Sequence, residues 1–98
     1  VKLFLSDPKV REILFRPGTV LTEQHLSDTR LFGIVDRLII APDRITLIDF
    51  KTGRVGHLAD KYRPQMIRYR TILQGLFGGR QVECYLLFID EPHRILTI

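Results

Sequence analysis

An α/β domain built on a mixed central β-sheet with a flanking helix is the fold class this sequence predicts, and three observations predict it. Two oily runs, Leu31 to Ile40 and Ile45 to Phe50, are separated by Ala41-Pro42-Asp43-Arg44, a turn signal that makes them a hairpin of central strands. Apolar residues then recur at helical spacing from about Asp60 to Phe77. After that helix comes another strand-like run, Val82 to Ile89, so the chain returns to the sheet through a crossover, expected to be right-handed.

Taken in order, residues 1 to 9 are ambiguous, with Ser6-Asp7-Pro8 marking a turn or the start of a helix. Val10 to Phe15 (VREILF) has strand character and is closed by Arg16-Pro17-Gly18. Thr19 to Leu26 reads either as a further short strand or as the far side of a loop. In the helix, Tyr62, Met66, Tyr69, Leu73 and Leu76 or Phe77 form the apolar stripe while Arg63, Arg68 and Arg70 face elsewhere. Pro64 is compatible with the first turn, and Gly78-Gly79 supplies the stop. Val82 to Ile89 and Arg94 to Ile98 complete the set as two strands split by Asp90-Glu91-Pro92-His93.

Composition narrows the classes. With 98 residues, 45% of them hydrophobic, the chain builds one modest core and a single domain spanning 1–98. Lys and Arg outnumber Asp and Glu by 15 to 11. The resulting pI near 9.6 favours an acidic partner, nucleic acid being the commonest, although ordinary surface solvation accounts for a charge of this size equally well. The lone Cys84 excludes an internal disulfide framework and any zinc or iron–sulfur site built from several thiolates of this chain, and a reducing, intracellular setting fits. No apolar run approaches the roughly eighteen residues of a membrane span, and no signal-peptide pattern opens the chain. Starting at Val1 and ending on the strand-like ILTI, it reads as a piece of a longer protein.

Asp36, Asp49 and Lys51 interrupt the two central strands. If the turn is centred between Pro42 and Asp43, Asp36 falls directly opposite Asp49, with Cβ atoms roughly 4.5–5.5 Å apart. Lys51, two positions past Asp49, lies on the same face. On the other face Val35, Ile39, Ile48 and Phe50 form an apolar surface. Paired like charges out of water repel strongly, so something must offset them. A hard divalent cation such as Mg²⁺, which takes carboxylate oxygens and waters, is one solution. Structural salt bridges to Arg37, Arg44 or Lys51 are the other, and a one-residue slip in register would separate the aspartates altogether. Gly75 to Arg80 (GLFGGR) lacks the Lys-Ser/Thr of a phosphate loop, and His25, His57 and His93 lack metal-ligand spacing.

The string Gly33-Ile34-Val35-Asp36-Arg37-Leu38, then Ile48-Asp49-Phe50-Lys51-Thr52-Gly53, then Gln65-x-x-x-Tyr69, resembles the nuclease domain of RecB-like enzymes in the PD-(D/E)XK superfamily, over roughly residues 10 to 90. Within it, the Arg11-Glu12 strand and the D-F-K-T form look most like the C-terminal nuclease of AddA-type helicase–nuclease subunits of bacterial break repair. The resemblance implies a restriction-endonuclease-like core, here lacking the first core helix because few residues precede Val10. It implies a Mg²⁺-dependent deoxyribonuclease, an exonuclease, with Mn²⁺ able to substitute and with no iron–sulfur cluster in this chain. Asp36 and Asp49 are the implied metal ligands, joined by the backbone carbonyl of Phe50 and by Glu12. Lys51 is implied to activate the attacking water, and Gln65 and Tyr69 to sit over the site. Arg54, Arg63 and Arg68 are candidate DNA contacts. The implied partners are DNA, the helicase region of the parent chain and a second helicase–nuclease subunit, in bacterial cytoplasm at the nucleoid. A nuclease-fold DNA-binding or scaffold module without activity is the alternative that keeps the fold and not the chemistry.

Overall fold

The segment ahead of the first strand is helical. In this computed structural model, which describes residues 2–27, 32–52, 58–90 and 93–98, α1 (Lys2–Ser6) and α2 (Pro8–Leu14) precede β1 (Thr19–Ser27). The extended reading of residues 10 to 15 is thereby corrected, as is the expectation that no helix stands before the sheet. Asp7 caps α2 by accepting the Lys9 N–H at 2.8 Å, and Pro8 sits at the first turn, where its missing N–H costs nothing. Val10, Ile13 and Leu14 are its buried residues. That i, i+3, i+4 spacing is one face of a helix and does not alternate as a strand would; the extended reading rests on residue type and the closing Pro-Gly instead.

After β1 come β2 (Phe32–Ile40), β3 (Arg44–Lys51), α3 (Leu58–Leu76), β4 (Gln81–Phe88) and β5 (Arg94–Thr97). The five strands lie in one sheet in the order β1-β2-β3-β4-β5. All neighbours are antiparallel except β3 and β4, because the helical crossover through α3 returns the chain to the same end of the sheet. Helix α3 begins earlier than the sequence suggests, so Pro64 falls inside it rather than in its first turn. The hydrogen bond Pro64 forgoes is to the carbonyl of Asp60, an exposed residue at the helix start. Beyond the C-terminus of α3, Gly79 takes the left-handed φ of 85° that closes the turn into β4.

Both faces of the sheet are covered. On one, Met66, Tyr69 and Leu73 of α3 pack on Leu38, Ile45, Leu47, Leu86 and Phe88. On the other, Phe4, Val10, Ile13 and Leu14 pack on Ile39, Ile48, Tyr85 and Leu87. Central strand β3 is therefore buried continuously from Ile45 to Asp49, the pattern of a strand with no solvent face. Cys84 sits in the α3-side core, where burial pushes its thiol up to about 11; it behaves as a small hydrophobe.

Arg16, at 8% exposure, joins α2 to the sheet. Its guanidinium meets Glu12 at 2.7 and 2.9 Å, Glu83 at 2.8 Å, the Thr46 hydroxyl at 3.2 Å and the Tyr85 hydroxyl at 3.1 Å. The Glu12 hydrogen bonds, chiefly, raise its proton affinity. A cavity of about 490 Å³ opens beside it, lined by Pro8, Ile13, Tyr85 and Ile95 among others. Removing this guanidinium takes the main ion-pair partner from the largely buried Glu83, which keeps Arg44 and the Tyr85 hydroxyl, while Glu12 is exposed to water. Arg16→Leu is expected to lower unfolding free energy by about 2–4 kcal/mol in urea denaturation; a loss under about 0.5 kcal/mol would place the network among inconsequential surface pairs.

Candidate active site

The β2–β3 ladder runs from Ile40↔Ile45 to Arg37↔Ile48, the register expected from a turn between Pro42 and Asp43. One position further, Asp36 and Asp49 face each other, and the backbone ladder gives way to side chains. The Asp36 N–H donates to Asp49 Oδ1 at 3.3 Å, and the Phe50 N–H donates to Asp36 Oδ2 at 2.8 Å. Each carboxylate thus accepts an N–H from the opposite strand, which satisfies the backbone where the strands part and holds the two acids together. Strand β3 meanwhile continues along β4, with Asp49↔Leu86, Phe50↔Leu87 and Lys51↔Phe88.

The facing of β2 changes at the same point. Val35 and Leu38 both belong to the α3-side core although an odd number of positions separates them, so Val35 does not share the opposite face with Ile39 as strand alternation predicts. On β1 the same happens between Leu21 and Leu26, both on the α3 side. Between them lies Glu23, a non-glycine residue at φ 49°, opposite Asp36 by the register of its neighbours, Thr22↔Arg37 and Gln24↔Val35. The twist of both strands is concentrated where the aspartate sits.

Asp49 is only 4% exposed, and Asp36 is half-buried. Burial pushes the Asp49 carboxyl up, its contact with Lys51 pulls it back in part, and Asp36 pushes it up again. Lys51 Nζ lies 3.0 Å from Asp49 Oδ2 and 4.1 Å from the centroid of the Tyr62 ring. Of the cations that could have neutralised the pair structurally, Arg37 instead donates to the Leu14 carbonyl at 3.1 Å and Arg44 lies 3.6 Å from Glu83. Lys51 is the partner the described residues show.

Helix α3 closes over this corner. Gln65 Nε2 donates to the Tyr69 hydroxyl at 3.0 Å. Burial and then the charge of Asp49 raise the Tyr69 hydroxyl's proton affinity, the Gln65 bond lowers it, and Asp36 raises it further. Tyr69 therefore stands within electrostatic reach of both acids. Its hydroxyl also occupies the space where a β-carbon on Gly33 would be, so glycine at this strand position lets helix and sheet approach.

Not every expected residue converges. Glu12 is held by Arg16 on the α2 side of the sheet, away from Asp36 and Asp49. Arg63 is exposed on α3 and Arg68 is half-buried there. Arg54, with Gly53, Gly56 and His57, lies outside the described residues. Sequence reasoning took Tyr62 only as part of an apolar stripe and Gly33 only as part of a motif. A glycine amid β-branched neighbours, and an aromatic one helical turn before Gln65 and Met66, were the available signals.

The donor chemistry fits a hard divalent cation: two adjacent carboxylates, one with its proton affinity raised by burial and by the other, gain most from an ion that neutralises both. Among the described residues no group of three or more His, Cys, Asp or Glu side chains gathers anywhere.

A mixed sheet with helices on both faces, opposed aspartates where two of its strands part, and a lysine two residues beyond the second aspartate together define the PD-(D/E)XK class of nuclease. The sequence profile of the PD-(D/E)XK nuclease superfamily matches residues 3–95, and the chain belongs to that superfamily. Similar proteins include an ATP-dependent helicase/nuclease subunit of Listeria monocytogenes, 32% identical over 85% of this chain and 8% of the relative. The like-named proteins of Lactococcus lactis (26% over 96% of the chain, 8% of the relative) and Desulforudis audaxviator (39% over 58% of the chain, 5% of the relative) are alike in kind. The chain spans less than a tenth of the length of these relatives.

Two outcomes follow from the geometry. Gly33→Ala is expected to destabilise the protein by about 2–4 kcal/mol through overlap with Tyr69, and Tyr69→Phe should recover part of that loss in the double variant, measured by denaturation; no recovery would place the strain elsewhere. For Asp49, folding disfavours the charged carboxylate, a cost present above its raised folded pKa and lost as pH falls through it. Asp49→Asn should therefore melt above the wild type in metal-free buffer at neutral pH, with the gap closing as pH approaches about 4; a lower melting temperature at neutral pH would mean that Lys51 outweighs burial.

Proposed function

We propose that this chain is the catalytic centre of a Mg²⁺-dependent deoxyribonuclease, acting as an exonuclease within a helicase–nuclease that processes broken DNA. The observation that carries the reading is the apposition of Asp36 and Asp49 with Lys51 Nζ 3.0 Å from the second carboxylate. Asp36, Asp49 and the backbone carbonyl of Phe50 would hold the cation. When bound, such an ion lowers the proton affinity of water and neutralises charge on a phosphate.

The side chains have separate work. Lys51 offers an ammonium to the attacking water or to a nonbridging phosphate oxygen as negative charge develops there. Its contact with Asp49 keeps that ammonium at the edge of the acidic pair rather than in solvent. Tyr69 and Gln65, linked at 3.0 Å, form the roof contributed by α3 and steady the lysine or the DNA backbone. Arg54, Arg63 and Arg68 would add sequence-independent phosphate contacts, in keeping with the net charge of +4. The similarity to ATP-dependent helicase/nuclease proteins supports a parent chain with a helicase region, partnered by a second helicase–nuclease subunit, and a bacterial cytoplasmic setting on the nucleoid. Among the described residues no helix is long and apolar enough to cross a membrane.

In the intact protein, Lys51→Ala is expected to reduce DNA cleavage by roughly 10²–10³-fold while DNA binding and any ATPase activity persist. Chelation should abolish cleavage, and either Mg²⁺ or Mn²⁺ should restore it. Undiminished cleavage by the lysine variant would remove Lys51 from the mechanism, and DNA binding without metal affinity would favour a scaffold role for the fold.

A further inference from the structure

Lys51 is held at two points that differ in kind. The first is the Asp49 carboxylate, 3.0 Å from Nζ. This is a localised charge and a hydrogen-bond acceptor, and any cation that occupies Asp49 competes for it. The second is the face of the Tyr62 ring, whose centroid lies 4.1 Å from Nζ. A ring attracts an ammonium through its quadrupole, and a strongly hydrated metal ion does not readily displace that contact. The ring is itself fixed in place: Tyr62 is half-buried and packs against the α3-side core, on the helix stripe that carries Met66 and Tyr69. Lys61 Nζ stands 5.6 Å from the same centroid, but it belongs to an exposed helix residue and lies farther off.

The need for a second hold follows from the flexibility of lysine. An ammonium on a four-carbon stem, beside a carboxylate that a metal also requires, would be repelled by that metal and drawn to water. We propose that Tyr62 is the positioning residue of Lys51, its ring face retaining the ammonium in the site when Asp49 is engaged by a cation. This rests on the roles of Asp49 and Lys51 given under the proposed function. The ring, and not its hydroxyl, is the working part.

The test uses the intact protein with Tyr62→Phe, Tyr62→Leu, and phenylalanines carrying one, two and three ring fluorines at position 62. Fluorine withdraws charge from the ring face and weakens cation binding while changing shape little. Tyr62→Phe should keep kcat within about twofold, whereas Tyr62→Leu should lose about tenfold in kcat with KM for DNA and the melting temperature little changed. The fluorinated series should lower kcat stepwise, a dependence that a purely space-filling role would not produce. In metal-free protein, an amine-reactive reagent read by mass spectrometry should modify Lys51 several-fold faster in Tyr62→Leu than in Tyr62→Phe. A flat fluorine series, or wild-type kcat and labelling in Tyr62→Leu, would overturn the proposal. Asp49→Asn serves as the reference: if it is inactive while the fluorine series is flat, only the role of Tyr62 falls; if it cleaves normally, the proposed function falls and this inference with it.

Discussion

Everything distinctive in this molecule depends on a reciprocal exchange between neighbouring strands, in which Asp36 takes the N–H of Phe50 and Asp49 takes the N–H of Asp36. In an ordinary antiparallel pair those donors would meet backbone carbonyls. Here carboxylates take the carbonyls' place, which binds two acids side by side without leaving a buried donor unpaired. The arrangement has a cost, visible in the raised proton affinity of Asp49, and Lys51 offsets only part of it. The acidic pair is thus only partly neutralised by the one ammonium that the described residues place beside it.

The rest of the fold divides between supporting that corner and compensating for it. The α3 side brings the chemistry-bearing groups together: Tyr69 above the acids, Gln65 tied to Tyr69, and Tyr62 over the lysine. The α2 side carries a separate charge network centred on Arg16, in which cations and carboxylates are matched through Glu12, Glu83 and Arg44. Between the two, Ile45, Leu47 and Ile48 bury β3 on both faces. Strand β3 is thus anchored by packing in its first half and carries Asp49 and Lys51 toward its end, where β2 departs. The opposition of strong packing and electrostatic strain along one strand is what allows the strain to persist.

How much of this was legible depended on whether the signal was local. The turn residues Pro42 and Asp43 fix the hairpin register, and the opposition of Asp36 to Asp49 follows from that register alone. The lysine's side of the sheet follows from period-two alternation. Three features did not follow, each because a nonlocal or competing influence decided it. Val10 to Phe15 has β-branched residues and a closing Pro-Gly, yet the Asp7 cap and Pro8 start a helix whose buried face matches the sheet. Val35 breaks alternation because β1 and β2 turn together at Glu23 and Asp36. Glu12 looked like a further acid beside the site, but its place on α2 puts it on the far side of the sheet, in the grip of Arg16.

The middle residue of Asp49-Phe50-Lys51 shows why the spacing of this motif is more than a way to put two charges on one face. Phe50 points its ring to the opposite side, where it packs against the α2-side core. Its N–H, in the plane of the sheet, is the donor that holds Asp36 at 2.8 Å. Three consecutive residues therefore act in three directions: acid and base toward α3, a hydrophobic anchor toward α2, and a backbone donor toward β2. Moving either charged residue by one position would place it in the wrong core, and a proline at position 50 would release Asp36 by removing the donor. The motif is short because one strand, with its alternating faces and in-plane hydrogen bonds, already supplies every direction the site requires.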